Sequence, residues 1–590
     1  MSKAADTETP VIKRICIERF RGIERLVWLP EPGVNVILGG GDVGKTTILD
    51  AIAILLSPTH ATVVSEADYW CRQVDEAGFS IEAVISLPDR CGISQQKKSV
   101  WPWEWSGEDA ALPKMDEGSG NDNESQPVYR MRARGTADFD LVYELVQPDN
   151  QADHFSVALR RSIGLIRLCG DDRNDRDLRL IQGSALDRLL SDKTLRARLG
   201  KKLGETDVEG ELQPKAKENL KSLDVNFEKQ SLPTGLGLGL VGGPGYSLNA
   251  LLGLTATKAG TELALSSWGA GTRRLAALEI AAAHQGDFPI ILVDEIERGL
   301  EPYRQRLLIN KLLKHGAQVF ITTHSAATVS EAAAASVWYL DSDGKIGRLP
   351  KSVAQHQRRD PEAYLSRLTI VAEGPTEVGF VSHILERVIG TNLLQHGIWI
   401  TDGGGNDHAL KLLEGLSGSG LRFGGFADDE GRDKVKWSRV QHKLGALLFR
   451  WKAGCIEENV VKLLADEQLK DFIKDPEGDS GERLRTLADR LGLIEKDFAS
   501  IAAKSLDLKA LIIEAATGTV PEGMQGAEKG EKKAFKSHSQ KWFKSFDGGK
   551  ELAMKVFEFD LWPKLQPQLL PFINAIRTGV SLPDMEEFSR

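Results

Sequence analysis

A phosphate-binding pattern near the N-terminus constrains this 590-residue chain more than any other feature. Residues 39–46 read Gly-Gly-Gly-Asp-Val-Gly-Lys-Thr and follow an apolar segment. The spacing G-x-x-x-x-G-K-T predicts a loop between a strand (33–38) and a helix (45–56), with backbone N–H groups around phosphate oxygens. We expect Lys45 at the β/γ-phosphates of ATP and Thr46 on Mg²⁺. The residues expected to bind nucleotide are Gly39, Gly41, Gly44, Lys45, Thr46 and Thr47.

Two later strand ends complete the expected nucleotide site. Residues 289–295 read Pro-Ile-Ile-Leu-Val-Asp-Glu, which is typical of a buried strand that ends in carboxylates. Asp294 would then hold the Mg²⁺ shell, and Glu295 would polarise the attacking water. Residues 318–325 (QVFITTHS) predict another strand, after which His324 can contact the γ-phosphate. These segments predict an ATP-hydrolysing site.

The segment 265–271 (LSSWGAG) precedes a predicted helix and resembles the signature motif of ABC-type ATPases, although it is not the common LSGGQ. In that class Ser and Gly of the motif cap the nucleotide of the opposite subunit, which implies these roles for Ser267 and Gly269 and a homodimer or higher homo-oligomer. Residues 297–302 (ERGLEP) resemble the following D-loop. The wide interval between the motifs, with a charged segment at 171–235, resembles recombination- and repair-type members and implies a helical dimerisation insertion.

Composition excludes several other classes of protein. The five cysteines, at 16, 71, 91, 169 and 455, form no CxxC pair, so we expect a reduced cytoplasmic setting without a zinc module. No run of about 18 apolar residues occurs, which argues against a membrane span. The net charge of −9 argues against a nucleic-acid partner at first sight. Part of that charge, however, lies in an acidic segment at 104–127 and in clustered carboxylates that a cation would neutralise.

A second group of carboxylates follows two predicted strands in the C-terminal part. Residues 369–377 read Thr-Ile-Val-Ala-Glu-Gly-Pro-Thr-Glu, and residues 424–430 read Gly-Gly-Phe-Ala-Asp-Asp-Glu. Strands over 368–372, 397–401 and 421–427 and a helix over 376–388 would bring Glu373, Glu377, Asp428 and Glu430 to one edge of a parallel sheet. Such oxygen ligands suit Mg²⁺, Mn²⁺ or Ca²⁺, and two such ions can catalyse phosphodiester hydrolysis.

This pair of motifs resembles a TOPRIM domain, with Asp428-x-Glu430 in place of the commoner D-x-D. An ABC-type ATPase followed by TOPRIM resembles the OLD (overcoming lysogenization defect) nucleases, a group that includes the Gabija nuclease subunit. The resemblance implies an α/β fold: an ATPase head with an inserted helical arm, then a Rossmann-like TOPRIM domain with helical additions. It also implies an ATP-regulated, metal-dependent DNA endonuclease of anti-phage defence or DNA repair. The resemblance leaves two classes open: a stand-alone nuclease, and a Gabija-type nuclease with a helicase partner encoded by a neighbouring gene.

Family members use further residues after the second motif. The resemblance implies a metal carboxylate within Ile456-Glu457-Glu458-Asn459, where we favour Glu457 over Glu458, and a phosphate-stabilising lysine, for which Lys550 is the candidate. A plain charge at a helix start is the alternative for Lys550. The stretch 529–550 carries seven lysines with Phe535, Trp542 and Phe543 interleaved, which predicts either a contact to the DNA backbone or a solvated amphipathic helix.

The expected organisation is an N-terminal ATPase part (1–170), a helical insertion (171–235), a C-terminal ATPase part (236–360) that ends in a polar linker at 350–365, and a nuclease domain (361–590). Strand-like segments are also predicted near 128–146 and 155–168. The competing function is an ATP-switched DNA-binding or scaffold protein of the structural-maintenance type. A topoisomerase or primase is disfavoured because no tyrosine-nucleophile domain or zinc module accompanies the motifs.

Overall fold

The computed structural model describes residues 9–58, 64–75, 77–93, 99–113, 126–168, 178–181, 184–190, 192, 209–240, 252–282, 289–521 and 529–585. The chain divides into two compact units, Met1–Arg348 and Leu349–Arg590. Among the described residues, none of the helices combines the length and apolarity needed to cross a membrane.

The first unit is built mainly from strands. They are β1 (Val11–Phe20), β2 (Ile23–Trp28), β3 (Val34–Gly39), β4 (Phe79–Ser86), β5 (Trp103–Trp105), β6 (Ala110–Ala111), β7 (Pro127–Gly135), β8 (Leu141–Val146), β9 (Ala152–His154), β10 (Leu165–Leu168), β11 (Gly237–Leu240), β12 (Leu252–Lys258), β13 (Thr261–Ala264), β14 (Ile290–Val293), β15 (Val319–Thr322), β16 (Ser336–Leu340) and β17 (Ile346–Arg348). Its helices are α1 (Lys45–Leu55), α2 (Val157–Ile163), α3 (Ala185–Leu190), α4 (Pro214–Lys229), α5 (Ala270–Ala282), α6 (Pro302–Leu312) and α7 (Ala326–Glu331).

A six-stranded sheet of order β10-β14-β15-β3-β16-β17 organises the nucleotide side of this unit. All its neighbours are parallel except β16 and β17. The β3, β14 and β15 strands are buried along their full length, as apolar runs in a parallel sheet covered on both faces should be. Because parallel strands end at the same edge, the loops after β3, β14 and β15 lie together there.

An antiparallel sheet of order β2-β1-β4-β7-β5-β6, extended by β8 and β9, forms the second layer. The α1 helix contacts strands of both sheets, and its apolar residues Ile48, Leu49 and Ile52 are fully buried in the shared core. The helix α1 therefore lies between the two sheets, and its packing fixes the position of the phosphate-binding loop that precedes it.

Two expectations for this unit need adjustment. The segment 155–168 is not one strand: α2 occupies its first half because Ser156 Oγ accepts the Leu159 N–H at 3.2 Å and caps a helix, which Gly164 ends before β10. Within the expected insertion at 171–235, the described elements α3 and α4 are helical, and both pack on α5. Residues 191 and 193–208 of this expected insertion lie outside the described residues.

The second unit contains a parallel sheet of order β19-β18-β20-β21. Its strands are β18 (Leu368–Ala372), β19 (Ile398–Asp402), β20 (Phe423–Ala427) and β21 (Leu448–Arg450). Its helices are α8 (Ala354–Arg359), α9 (Pro375–Ile389), α10 (Asn406–Leu416), α11 (Lys434–Leu444), α12 (Ile456–Val461), α13 (Leu469–Phe472), α14 (Gly481–Leu491), α15 (Phe498–Lys504), α16 (Leu508–Thr517), α17 (Lys529–Ser537), α18 (Phe546–Glu558) and α19 (Trp562–Gly579). The predicted strands and the helix over 376–388 are confirmed within one or two residues.

The expected linker at 350–365 is wrong, because this polar segment is an ordered part of the second unit. The α8 helix lies within it, and the His356 ring nitrogens lie 3.0 Å from Tyr364 Oη and 2.9 Å from Thr401 Oγ1. Burial lowers the pKa of His356 to about 4, so the neutral ring bridges two hydroxyls inside the fold. The polar residues that suggested a linker instead form a buried hydrogen-bond network.

Close packing of α9 against α18 shapes the site of the second unit. A Cβ on Gly379 would lie 1.9 Å from the Phe546 carbonyl oxygen, and one on Gly549 would lie 1.9 Å from the Thr376 carbonyl oxygen. Thr376 Oγ1 also donates to the Phe543 carbonyl oxygen at 2.9 Å. The two glycines therefore let the chain just before α18 reach the first turn of α9.

Candidate nucleotide site and candidate metal centre

The loop between β3 and α1 has the form that the sequence predicts for phosphate binding. Gly44, at the start of α1, has a φ of 102°, a conformation that favours glycine. Lys45 is 6% exposed, and its Nζ donates to the carbonyl oxygens of Gly39 at 3.1 Å and Gly40 at 2.5 Å. Burial lowers the pKa of Lys45, against the opposing charge of Asp294. The lysine is thus folded onto its own loop with its charge directed into the site.

The strand-end carboxylate Asp294 is joined to this loop by hydrogen bonds. Its Oδ1 accepts from Thr46 Oγ1 at 3.1 Å and from Thr322 Oγ1 at 2.6 Å. Arg274, from α5, donates to the Asp294 backbone carbonyl oxygen and is itself buried. Thr46 and Asp294 are therefore adjacent, as two groups that share a Mg²⁺ shell would be. The sequence did not single out Arg274, which follows the predicted signature segment.

Glu295 and His324 lie at the same edge. Glu295 has a φ of 47°, unusual for a residue with a side chain, and its N–H donates to Thr322 Oγ1 at 2.8 Å. Burial, and then the charge of Lys45, lower the pKa of His324. Glu297 was missed as a site residue: its two oxygens accept from Thr323 Oγ1 and the His324 N–H, each at 2.7 Å. Its place as the first residue of ERGLEP was the signal that could have found it.

These groups surround a cavity of about 430 Å³. Its lining consists of the loop, the two strand ends and one residue of the first hairpin: Gly22, Gly41, Asp42, Val43, Gly44, Lys45, Thr46, Thr47, Glu295, Thr322 and His324. The predicted signature residues Ser267 and Gly269 are exposed and are not among the residues that line it. The structure thus brings the phosphate loop and the strand-end acids together, and leaves Ser267 and Gly269 on the surface of the unit.

In the second unit, carboxylates converge where the parallel strands end. Glu373 follows β18, Glu377 lies in the first turn of α9, Asp428 follows β20 and Glu457 lies in α12. Glu377, Asp428 and Glu457 are only 5%, 7% and 0% exposed. Glu373 Oε2 accepts from the Asp428 N–H at 3.0 Å and from Asn406 Nδ2 at 2.8 Å. Four acids, of which three are buried and Glu373 is partly exposed, therefore form one cluster, which we call the carboxylate cluster.

Mutual repulsion and burial perturb this cluster strongly. Burial, and then the charge of Glu457, raise the pKa of Glu377 to about 8. Burial, followed by Glu377 and Glu373, raises the pKa of Asp428 to about 9. Within the described part of the chain, Asp428 Oδ1 is buried and has no hydrogen-bond partner. Such a concentration of negative charge suits a divalent cation, whose charge would stabilise the ionised carboxylates.

The cation beside this cluster is Lys544 rather than Lys550. Lys544 Nζ lies 2.9 Å from Glu457 Oε1, with 35% of the side chain exposed. Burial lowers the pKa of Lys544, but the charge and hydrogen bond of Glu457 together with the charge of Glu377 outweigh burial, so the pKa is raised overall. Lys550 is instead exposed on α18. The sequence marked Lys544 only as one of seven lysines, because which lysine reaches the acids depends on how α18 packs against α9.

Two acids that neighbour cluster residues in the sequence have other partners in the structure. Glu458 pairs with Lys462 at 2.5 Å and is partly exposed, whereas Glu457 is in the cluster. Glu430 is exposed and lies 3.8 Å from Arg432, although its charge still acts on Glu373. Of the two neighbouring acids, the structure therefore places Glu457 in the cluster and Glu458 outside it, and Glu430 lies at the edge of the cluster rather than inside it.

Two aromatic side chains of the lysine-rich stretch cannot stack on DNA bases. Trp542 and Phe543 are 4% and 0% exposed in the core of the second unit. Trp542 Nε1 also donates to Thr486 Oγ1 at 3.0 Å. At these two positions the aromatic residues between the lysines therefore belong to the hydrophobic core.

Asn406 and Cys455 are further residues of the cluster that the sequence did not indicate. Asn406, the first residue of α10, orients Glu373 because its Nδ2 donates a hydrogen bond to Glu373 Oε2. A glycine run, Gly403-Gly404-Gly405, precedes it and was a usable signal. Ligand atoms of Cys455, Asp428 and Glu457 all lie within 4.8 Å of one another. The cluster therefore includes an amide and a thiol as well as carboxylates.

Residues 149–330 match the AAA_21 family, described as "AAA domain, putative AbiEii toxin, Type IV TA system". No curated protein is significantly similar to the chain in sequence. Among solved structures, the chain is similar to an Smc head bound to the C-winged helix domain of ScpA, with 16% identity over 58% of this chain and 99% of that chain and a TM-score of 0.38. It is also similar to the Smc head domain with an extended coiled coil from Pyrococcus furiosus (15% identity, 60% and 100% coverage, TM-score 0.36).

The recombination mediator protein RecF with ATP is a further similar structure, at 14% identity, 59% coverage of this chain, 100% of that chain and a TM-score of 0.35. The family match covers β14, β15 and their strand-end residues Asp294, Glu295 and His324. The phosphate-binding loop completes the same site from outside the matched range. The first unit thus contains an ATP-binding domain of the ATPase class.

Proposed function

We propose that this chain is an ATP-regulated, metal-dependent DNA endonuclease with the organisation of the OLD nucleases, in which the second unit is a TOPRIM domain. The observation that carries the proposal is the carboxylate cluster: four acids at the C-terminal edge of a parallel sheet, with Lys544 beside them. An ATPase site in the same chain supports regulation by nucleotide state. Anti-phage defence or DNA repair is the biological setting that we infer.

The donors present fit a divalent cation. Glu373, Glu377, Asp428 and Glu457 offer oxygen ligands, and Asp428 Oδ1 is buried without a hydrogen-bond donor in the described part of the chain. Oxygen-rich clusters of this kind suit Mg²⁺ and Mn²⁺. Bound cations would supply an activated water and neutralise the leaving oxygen of a phosphodiester.

The protein groups around the cluster have separate roles in this proposal. Asn406 holds Glu373 in one orientation through its hydrogen bond to Oε2. Lys544, with its charged form stabilised by Glu457, can donate to a non-bridging phosphate oxygen and stabilise the charge that develops there. Thr376 positions Lys544, since it donates to the carbonyl oxygen of the preceding residue, Phe543.

A basic helix follows the second acidic motif and supports DNA as the substrate. The exposed cationic residues of α11 and the turn before it are Arg432, Lys434, Lys436, Arg439 and Lys443. The apolar face of the helix is anchored by Trp437, which is buried beneath the Arg450 guanidinium. A rigid helix with exposed cations, a few residues after Asp428, is suited to contact phosphates of a duplex whose scissile bond lies at the cluster.

The nucleotide role rests on pairing of two chains. Ser267 and Gly269 are exposed, so a second copy can approach them, as capping of an opposite nucleotide requires. The ATP-dependent dimer, and any helicase encoded by a neighbouring gene, would then control access to DNA. Analytical ultracentrifugation with and without ATP tests this pairing: a monomer in both states contradicts it.

The test of the nuclease is cleavage of supercoiled plasmid by the full chain with Mg²⁺ or Mn²⁺. We expect nicked or linear product from the wild type, and a loss of cleavage on the order of 10²–10³-fold in Glu377→Gln and Glu457→Gln. Glu458→Gln is the matched control, because Glu458 pairs with Lys462 instead of joining the cluster. Thermal melts show whether each variant is folded. Intact plasmid in every metal and nucleotide state, with DNA binding retained, would instead favour an ATP-switched scaffold protein.

A further inference from the structure

We propose that Cys455, Asp428 and Glu457 form a binding site for a thiophilic divalent cation of Zn²⁺ chemistry, at one side of the carboxylate cluster. The regulatory consequence rests on the proposed function: Zn²⁺ bound there would compete with Mg²⁺ and inhibit cleavage. The ligand set itself does not depend on nuclease activity.

The geometry suits coordination by the end of β20, which is followed by Asp428, and by the start of α12, where Cys455 and Glu457 lie two residues apart. The candidate ligand atoms of the three residues lie within 4.8 Å of one another. Zn²⁺ binds sulfur and carboxylate oxygen at about 2.0–2.3 Å, which places ligand atoms roughly 3–4 Å apart. Small side-chain rotations therefore bring the three donors around one ion.

An unpaired buried oxygen points to a ligand at this place. Asp428 is 7% exposed, and its Oδ1 has no hydrogen-bond partner in the described part of the chain. A carboxylate oxygen in that environment is costly unless a cation or donor satisfies it. Glu457, 0% exposed, shares its charge with Lys544. One ammonium and one divalent cation would balance two carboxylates and one thiolate.

The backbone holds Cys455 in position. It immediately precedes α12, and its carbonyl oxygen accepts from the Asn459 N–H at 3.1 Å and from Asn459 Nδ2 at 2.8 Å. On binding, the thiol would release its proton to solvent as the sulfur–metal bond forms. Thiolate is a preferred ligand of Zn²⁺ but not of Mg²⁺. A sulfur beside oxygen ligands therefore gives the cluster a means to distinguish the two ions.

The experiment is a titration of the full chain with Cd²⁺, which serves as a spectroscopic substitute for Zn²⁺. Binding is monitored by the thiolate-to-metal charge-transfer absorption. The affinity for Zn²⁺ is then measured by competition with Cd²⁺. We expect the absorption in the wild type and in Cys16→Ser, a control at a half-buried cysteine of β1. In Cys455→Ser we expect no absorption and a fall in Zn²⁺ affinity of at least the roughly 10–100-fold that loss of an outer-shell partner costs. Glu457→Gln should also weaken Zn²⁺.

Two results would overturn the inference: no charge-transfer absorption in the folded wild type, or equal absorption and Zn²⁺ affinity in Cys455→Ser. Plasmid cleavage separates this from the proposed function. Cleavage with Mg²⁺ but no Cys455-dependent absorption refutes the Zn²⁺ site alone. Cys455-dependent absorption without cleavage in any metal refutes the nuclease and leaves the Zn²⁺ site in place.

Discussion

The nucleotide site and the carboxylate cluster are both groups of charged residues at the C-terminal edge of a parallel sheet, yet they handle charge differently. At the nucleotide site, Lys45 donates to the carbonyl oxygens of Gly39 and Gly40, and Asp294 accepts from two threonines. In the cluster, the buried acids face one another, and the pKa values of Glu377 and Asp428 are raised to about 8 and 9.

The difference shows how each site depends on its ligand. A site whose polar groups are satisfied by its own backbone and hydroxyls keeps its shape at any ordinary pH. A site made of mutually repelling buried acids is held by the surrounding fold, and either protons or cations must offset its charge. We therefore expect the first site to be locally robust and the second to be sensitive to metal and pH.

The largest effect that we predict beyond the acids of the carboxylate cluster is at the nucleotide site. Lys45→Met removes the cation that faces the phosphates, so ATP hydrolysis should fall by at least about 10²-fold, with thermal stability nearly unchanged. Phosphate release and binding of a fluorescent ATP analogue measure it. Lys314→Met, at an exposed lysine of the same unit, is the control and should keep its activity. ATP turnover at the wild-type rate in Lys45→Met would mean that the loop is not the nucleotide site.

A smaller effect distinguishes two lysines of the second unit. Lys544→Met should reduce plasmid cleavage about 10²-fold through loss of charge stabilisation, with unaltered ATP hydrolysis. Lys550→Met should cleave within about twofold of the wild type, because exposed charges far from the reacting atoms contribute little. If Lys550→Met were the inactive variant, the lysine indicated by the sequence would be correct and the ion pair with Glu457 would be structural only.

The smallest effect is a pH dependence of stability. In the metal-free protein the folded-state pKa values of Glu377 and Asp428 exceed the ordinary carboxyl value of about 4. The folded state then binds more protons than the unfolded state, so stability falls as pH rises from about 4 toward 9. We expect the melting temperature to fall by several degrees between pH 6 and pH 9 and Mn²⁺ to restore it.

Asp428→Asn is the control for this pH dependence. It removes one buried charge and should flatten the profile. A metal-free melting temperature that rises from pH 6 to pH 9 would contradict the assignment of a repelling cluster. Differential scanning calorimetry with chelator and with added Mn²⁺ gives both curves.

The secondary structure of much of the chain was predictable where it depends on residues that are neighbours in the sequence. The strand, loop and helix around Gly39–Thr46 lie within one short stretch. The apolar run before Asp294 is by itself typical of a buried strand. Three of the four strands of the parallel sheet in the second unit were likewise predictable. The fourth, β21 (Leu448–Arg450), was not, because its three residues are too few for a pattern. The polar segment at 350–365 was wrongly predicted as a linker. A polar residue such as His356 has the same letter in the sequence whether it is buried among hydroxyls or exposed to solvent.

The sequence by itself determined the strands that carry the two sites, the phosphate-binding loop and three of the four acids of the carboxylate cluster, since each depends on spacing within one strand–turn–helix segment. It ranked Glu457 above Glu458 only through a family resemblance, and it selected Lys550. Tertiary structure places Glu457 and Lys544 at the cluster, in contact with each other, and brings Asn406 and Cys455 to it. The physical reason is that Thr376 and Phe543, 167 residues apart, are joined by a hydrogen bond where glycines let α9 and α18 approach closely. Which side chain enters a buried cluster is set by such long-range packing, and no local pattern encodes it.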